Sequence, residues 1–274
     1  MSWKSDSERP EQEGCQFHIR VKPGDAAPYA VLPGDPARTD LIAQGWDDAR
    51  LVANNREHRT FTGTLRGVPV TACSTGVGGP SASNAIEELA RLGTHTFIRV
   101  GTCGALRAEI QPGDLIVNCA AIRHDGTSDL YAPAAYPAAA SYDVTAALIE
   151  ACDRLGYRCH VGVTCSTASF YAGQARPGFG GFKTSSTEHL ISDLTAMGVL
   201  NFEMEAATLF TLCSLFGLRS GCVCTAIANR VTGQLIETGI EKSVAAANEA
   251  LLILAGRDEI CRRENKPYWH GGLR

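Results

Sequence analysis

Two carboxylates stand one residue apart in the stretch NFEMEAATL, where Glu203 and Glu205 flank Met204 at the head of an apolar run. Carboxylates at a helix N-terminus are favoured by the helix dipole. Three arginines occupy equally pointed positions. Arg38 follows the turn GDPAR, Arg56 lies in NNREH, and Arg99 interrupts the apolar run TFIRV just before GTCG. An arginine inside a buried strand is costly unless it is paired. Beside a Gly-Thr turn it suits a phosphate: the guanidinium forks onto two oxygens while backbone N–H groups and a hydroxyl take the others. A structural ion pair with some carboxylate would satisfy Arg99 equally well.

The segment SFYAGQARPG gathers Phe170, Tyr171, Gln174 and Arg176 in a polar stretch broken by Gly and Pro. Gln offers a donor and an acceptor, as the imide edge of uracil requires. Arg can donate to a carbonyl, and an aromatic ring can stack on a base. An ordinary aromatic surface loop is the blander reading of the segment taken alone. The glycine loops STGVGGPS and VGTCGA both follow strands, but neither is a Walker A loop, and GVGGPS lacks the last glycine of a dinucleotide fingerprint. Histidines are sparse. His-Glu-x-x-His and a Cys/His cluster are missing, so no catalytic zinc is expected. A Gly-x-Ser-x-Gly elbow is missing too, which weakens a serine hydrolase.

Alternating strand and helix patterns must position these groups. YAVLPGDP reads as a strand ending in the turn Gly34-Asp35-Pro36, and HRTFTGTLRGVPVTACST as a hairpin turning at Arg66-Gly67. PSASNAIEELARLG reads as a helix with Pro80 near its first turn and a stop at Gly93. THTFIRVG, DLIVNCAAI, CHVGVTCST and RSGCVCTAIAN are further strands. YDVTAALIEACDRLG and FEMEAATLFTLCSLFG are helices ended by Gly156 and Gly217, and a last long helix runs from about Glu237 to Leu254. YAPAAYPAAAS reads as a surface loop. Strands separated by helices predict an α/β fold, a single domain with a mixed or parallel sheet flanked by helices. Residues 1–16 read as a flexible N-terminal tail, 17–256 as the folded domain and 257–274 as a C-terminal extension.

The 274 residues are 45% hydrophobic, enough for a full core, and carry a formal net charge of −4. That balance argues against a nucleic-acid partner, which needs a basic face, yet leaves room for a small anionic substrate met by a few local arginines. The eleven cysteines lack a Cys-x-x-Cys pair, and most sit in apolar segments such as GCVCTA. They read as small buried hydrophobes in a reducing, cytoplasmic compartment. The opening MSWKSDSERPEQEGC has no apolar signal core, and no run approaches the ~18 apolar residues of a membrane span.

Taken in order, GDPAR, NNREH, CSTGVGGPSAS, IRVGTCGA, FYAGQAR, NFEMEAATL and AIANR resemble the nucleoside phosphorylase family, most closely its uridine phosphorylase branch. The resemblance spans about Phe17 to Ile253. It implies a nucleoside phosphorylase-like sheet, partly closed into a barrel. It also implies reversible phosphorolysis of uridine, with inorganic phosphate as co-substrate and no cofactor required. Gly34, Arg38, Arg99 and Thr102 would bind phosphate, with Arg56 supplied by the neighbouring subunit. Glu205 would accept bonds from ribose hydroxyls, since an ionised carboxylate suits a vicinal diol. Met204 and Thr102 would lie at the sugar, Glu203 would support, and His18 would reach across to the 5′-hydroxyl. Gln174 and Arg176, with Phe170 and Cys103 near the ring, would hold the base. Arg99, Gln174 and Arg176 are the residues the resemblance makes catalytic. It further implies a dimer or a hexamer built as a trimer of dimers, with a monovalent cation, K+, at the dimer interface near Glu57, Val77 and Ser81. Two features depart from the pattern: Cys103 stands where a second Thr or Ser is common, and ARPGFGGFKTSSTEHL is Gly-rich and slightly short.

The rivals are a purine nucleoside phosphorylase, a nucleosidase of the same fold, and a nucleoside-binding module without turnover. AIANR offers no Asp for a purine N7, and a hydrolase has no need of three phosphate-holding arginines.

Overall fold

The computed structural model describes residues 7–273. The chain opens with a two-residue ribbon, β1 (Glu11–Gln12) against β2 (Cys15–Gln16). The segment read as tail therefore carries this pairing in its second half, while residues 1–6 lie outside the described residues. There follow β3 (Tyr29–Pro33), α1 (Ala37–Ala43), β4 (Asp47–Asn55), β5 (His58–Leu65), β6 (Val68–Cys73) and α2 (Gly79–Arg91). The middle of the chain forms β7 (Thr96–Ala105), β8 (Leu115–His124), β9 (Ala138–Ala139), α3 (Tyr142–Arg154) and β10 (Cys159–Thr167). The last part forms α4 (Ser185–Glu188), α5 (Leu190–Ala196), β11 (Asn201–Glu203), α6 (Ala206–Leu215), β12 (Arg219–Asn229) and α7 (Ile240–Arg263).

The strands after the ribbon make one mixed sheet in the order β11-β10-β8-β12-β7-β3-β6-β5-β4, with β9 added beside β8. β11 also pairs with β7, Asn201 opposite Ala105 and Phe202 opposite Gly104. That second pairing closes β7, β12, β8, β10 and β11 into a five-stranded barrel, and the rest of the sheet extends from it through β3. β7 runs parallel to both β3 and β12, which is why these strands read as unbroken apolar runs: helices cover both faces.

Side-chain alternation assigns the faces. Val31, Ile98, Val100 and Val223 point to a core shared with α3 and α7. Leu32, Phe97, Cys103, Cys222 and Cys224 point the other way, to a core shared with α2 and α6. Arg99 and Gly101 have the parity of Phe97 and Cys103, so the strand arginine faces the α6 side.

Two expected elements shift. The helix read across FEMEAATLFTLCSLFG begins only at Ala206, because Asn201–Glu203 are taken by the barrel strand β11. The last helix starts at Ile240, after Gly239 in a left-handed conformation, and runs on to Arg263, well beyond Leu254. Its extra turns are anchored by polar contacts to the body: Asp258 accepts from Arg219 and from the Tyr29 hydroxyl. The boundary drawn at 256/257 thus falls inside a helix. Beyond it the Trp269 ring lies against the Arg257 guanidinium, 3.7 Å from ring centroid to Cζ.

Candidate active site

A cleft of about 570 Å³ opens at the carboxyl ends of β3, β7 and β12. Ligand crevices of open α/β sheets lie at such strand ends. Of the residues singled out in the sequence, Gly34, Arg38, Glu57, Val77, Arg99, Thr102, Cys103, Phe170, Gln174, Arg176, Glu203, Met204 and Glu205 all line it. His18, Arg56 and Ser81 do not. A larger cleft, about 960 Å³, lies at the opposite ends of the strands around Tyr29, Arg219 and Asp258. Its central arginines are already matched, Arg219 with Asp143 and Asp258, and Arg257 with Glu150. It contains none of the singled-out residues.

The two acids of NFEMEAATL are held by one arginine. Arg99 Nε donates to Glu203 Oε2 at 3.0 Å, and Arg99 Nη2 lies 2.5 Å from Glu205 Oε2. All three side chains are buried. Burial alone would lower the Arg99 pKa, but the charges of Glu205 and Glu203 overturn that and hold it raised, so the guanidinium stays protonated. Both readings of Arg99 therefore meet in one geometry: it is a structural ion pair, and it lines the cleft.

Glu203 and Glu205 divide the work. Glu203 ends β11 and turns its carboxylate onto the start of α6, accepting the Glu205 and Ala206 N–H groups on Oε2 at 2.8 Å each. These are orphan donors of the first helical turn. Its other oxygen accepts the Ser166 hydroxyl from β10. Burial pushes the Glu203 carboxyl above its ordinary range, against the pull of Arg99. Glu205 instead accepts the Gly78 N–H, at the entry to α2, on Oε1. Both acids line the cleft beside Met204, but Glu203 is the anchor of the α6 start, and Glu205 spends its second oxygen on the α2 entry.

The base-side group is equally organised. β10 ends at Thr167, and a short turn brings Gln174 back so that its Nε2 donates to Thr167 Oγ1 at 3.3 Å. Ala175 adopts φ of 55°, which swings Arg176 into the cleft. Arg176 Nη1 donates to Gln174 Oε1 at 2.5 Å and to the Phe170 carbonyl at 2.9 Å, and its guanidinium lies 3.8 Å from the Phe170 ring centroid. Burial and the nearby Arg230 charge bring Arg176 down to about 10, still protonated at neutral pH. Arg230 itself donates to the Gln174 carbonyl at 2.8 Å. This arginine closes the AIANR motif but was not among the residues singled out from the sequence. Its signal was a cation directly following an apolar strand.

Arg38 lines the cleft and makes no ion pair among the described residues, which leaves its charge available to an anion. Arg56 is exposed at the tip of the two-residue turn between β4 and β5, with φ of 54°. His18 donates its backbone N–H to Glu88 and places its ring Nδ1 2.7 Å from the same carboxylate. Asn55, next to Arg56, donates to the His18 carbonyl at 2.7 Å. His18 and Arg56 thus share one surface region outside the cleft of their own chain. Ser81 donates to Glu57 Oε1 at 2.7 Å, at the cleft rim.

A family model described as the phosphorylase superfamily matches residues 28–255. The chain belongs to this superfamily. A relative named uridine phosphorylase, from Thermococcus kodakarensis, is 52% identical over 269 residues, covering 98% of this chain and 97% of its own. Another of that name, from Escherichia coli, is 41% identical over 244 residues, covering 88% and 96%. A relative named guanosine phosphorylase, from Halorubrum lacusprofundi, is 40% identical over 218 residues, covering 80% and 85%. The barrel closed by β11 against β7 is the sheet expected of a phosphorylase-superfamily chain. No helix among the described residues is long and apolar enough to cross a membrane.

Proposed function

We propose that this phosphorylase-superfamily protein is a uridine phosphorylase, converting uridine and phosphate reversibly to uracil and ribose 1-phosphate. The observation that carries the reading is the Gln174–Arg176 pair, already bonded to each other and converging on the same cleft as Arg99 and Glu205. It agrees with the names of the relatives at 52% and 41% identity.

Phosphate would sit among Gly34, Arg38, Arg99 and Thr102, with Arg56 added by a second copy of the chain. Glu205 would accept the ribose hydroxyls, with Met204 and Thr102 against the sugar and His18 of a second copy at the 5′-hydroxyl. Gln174 and Arg176 would meet the base edge, with Phe170 and Cys103 beside the ring. The bond from C1′ to the base nitrogen lengthens first, leaving positive charge on the sugar and negative charge on uracil. A phosphate oxygen then bonds C1′ from the opposite face. The chain's share is placement and charge stabilisation, without a covalent enzyme intermediate.

Uridine is favoured over a purine by Asn229, the residue before Arg230. Its amide donates to the Arg107 and Ile110 carbonyls at 2.9 and 2.8 Å, and its oxygen accepts the Val231 and Thr232 N–H groups. Every polar atom of that side chain is engaged in closing its own loop, so none is left to donate to a purine N7. Glu57, Val77 and Ser81 lie together at the rim, and their carboxylate, carbonyl and hydroxyl oxygens fit a hard monovalent cation such as K+ between two copies. It would balance the Glu57 charge there. Two copies, or a hexamer of three such pairs, would be the working assembly, in the cytoplasm.

The test follows uridine loss by ultraviolet absorbance with and without inorganic phosphate, with inosine in parallel. Phosphate-dependent loss of uridine alone supports the reading. Loss of inosine moves the chain to a purine activity and voids the base-site roles. Loss without phosphate makes it a hydrolase, and binding without turnover a nucleoside-binding module.

A further inference from the structure

Ser166 lies near the end of β10, fully buried, and does not itself line the cleft. Its hydroxyl nevertheless ties β10 to the acidic pair and to the start of α6. Ser166 Oγ accepts the Ala207 N–H from the first turn of α6 at 2.9 Å and donates its proton to Glu203 Oε1. Glu203 Oε2 is taken by Glu205 N–H, Ala206 N–H and Arg99 Nε. Ser166 is thus the sole hydrogen-bond donor to Oε1 among the described residues.

We propose that Ser166 is a positioning residue: its hydroxyl fixes the Glu203 carboxylate, and through it the Arg99 guanidinium and Glu205, in the geometry that receives the two substrates. This rests on the reading of the cleft as a phosphorolysis site. The physical reason is an asymmetry of hydrogen bonding. A fully buried carboxylate oxygen left without a donor bears its whole desolvation cost. Removing the hydroxyl leaves two ways out: Glu203 rotates away from Arg99, or it takes up a proton. Either way Arg99 loses the anion that orients its Nε edge, and Glu205 alone must hold it. Burial already acts in that direction, raising the Glu203 carboxyl above its ordinary range.

Other titratable groups face Glu203 and must be separated from it. Arg99 stays protonated throughout. Burial holds Cys103 of β7, Cys165 of β10 and Cys222 of β12 above the ordinary thiol range, so they remain neutral thiols below pH 8. Cys224 of β12 is the exception. Hydrogen bonds from Cys103 and Cys222 hold it low. Glu205 follows Glu203 by two residues and shares Arg99 with it.

The experiment compares wild type with Ser166→Ala and Ser166→Thr in two readouts. The first is uridine phosphorolysis as a function of pH. Loss of a hydrogen bond to a charged group is worth about 1.5–3 kcal/mol, so the acid limb of kcat/KM moves up by about 1–2 pH units in Ser166→Ala. Ser166→Thr, which keeps the hydroxyl, restores it. The second readout needs no activity. The melting temperature of Ser166→Ala falls short of wild type most at pH 8, where Glu203 must ionise without its donor. The shortfall narrows towards pH 5 as the carboxyl takes up its proton. This is the sign for a group whose folded pKa is raised: its contribution is lost as pH rises through that value. Should Ser166→Ala fail to fold, Ser166→Cys, a weaker donor, gives a smaller shift of the same sign.

A shortfall independent of pH, with an unmoved acid limb, means that Ser166 only packs α6, and overturns the proposal. So does a shift that vanishes in a Cys224→Ser background, since the titrating group is then the thiol. If wild type shows no phosphate-dependent uridine loss, the functional reading falls. The melting comparison still decides whether Ser166 governs Glu203.

Discussion

Arg99 shows how a single residue can be both costly and necessary. A cation inside β7 is tolerated because two carboxylates meet it, and the same carboxylates keep it ready at the cleft. The anomaly of an arginine in TFIRV was legible in the sequence; its partner Glu203, 104 positions further along, was not. Gly101 is the less visible requirement. A Cβ there would stand 2.8 Å from Arg99 Nη2 and 2.9 Å from the Cys224 sulfur. Gly101→Ala therefore pushes the guanidinium off its two anions. The expected result is a KM for phosphate raised about tenfold or more, the scale of one displaced charge-assisted hydrogen bond. Steady-state kinetics at varied phosphate check it, and an unchanged KM would remove Arg99 from the phosphate site. At the other end of the cleft, Arg176→Ala removes a preorganised donor to the departing base. Turnover of uridine should fall about a hundred- to thousandfold, corresponding to ~3–4 kcal/mol of barrier. The melting temperature should change little, because Arg176 is bonded to loop atoms rather than to the core. Full turnover in this variant would void the base-site role.

Elements carry the second scale, and there the sequence was readable wherever period and punctuation agreed. The hairpin turning at Arg66-Gly67 joins β5 to β6 as expected, and both central residues have the positive φ that such turns use. The helix ended by Gly156 closes with the Gly156 N–H on the Asp153 carbonyl and the Tyr157 N–H on the Cys152 carbonyl, the pair of hydrogen bonds of a left-handed C-terminal cap. Short barrel pieces were not readable. Asn201–Glu203 is only three residues long and continues into a helix, so its strand character comes from partners β10 and β7 rather than from its own pattern. β4, with its polar run DDARLVANN, carries no alternating apolar signal because it is an exposed sheet edge. Close packing between elements was equally silent, and Gly221 shows the consequence. On β12 a Cβ at this position would lie 2.5 Å from Val144 Cγ1 and 3.1 Å from Leu148 Cδ1 of α3. Gly221→Ala must lift α3 from the sheet. Overpacking of this kind costs about 1–3 kcal/mol. Thermal melts should fall by about 2–12 °C, at about 2–4 °C per kcal/mol for a chain of this size class. Activity at low temperature should persist, since α3 covers the face away from Arg99. Equal melting temperatures would show that the helix yields freely.

At the scale of the whole molecule, the question is why two of the residues that the family resemblance makes functional stand outside the cleft. His18 and Arg56 are tied to one another through Asn55, and both belong to the surface beside the β4–β5 turn. One chain places Arg38, Arg99, Gln174 and Arg176 in its cleft and leaves Arg56 outside it. A second copy related by a two-fold axis would complete each cleft with the other's Arg56, because an isologous contact makes the exchange mutual. Complementation separates this from a self-sufficient chain. Arg56→Ala and Arg176→Ala should each be nearly inactive alone. After the two are mixed, unfolded and refolded together, a mixed pair has one cleft with both defects and one with neither. Random pairing puts half the pairs in the mixed class, so about a quarter of wild-type activity should return. Recovery depends on subunit exchange, and size-exclusion chromatography with light scattering establishes that pairs have re-formed. Re-formed pairs with no recovered activity would mean that Arg56 serves its own chain or none, and the site would have to be complete within a single copy.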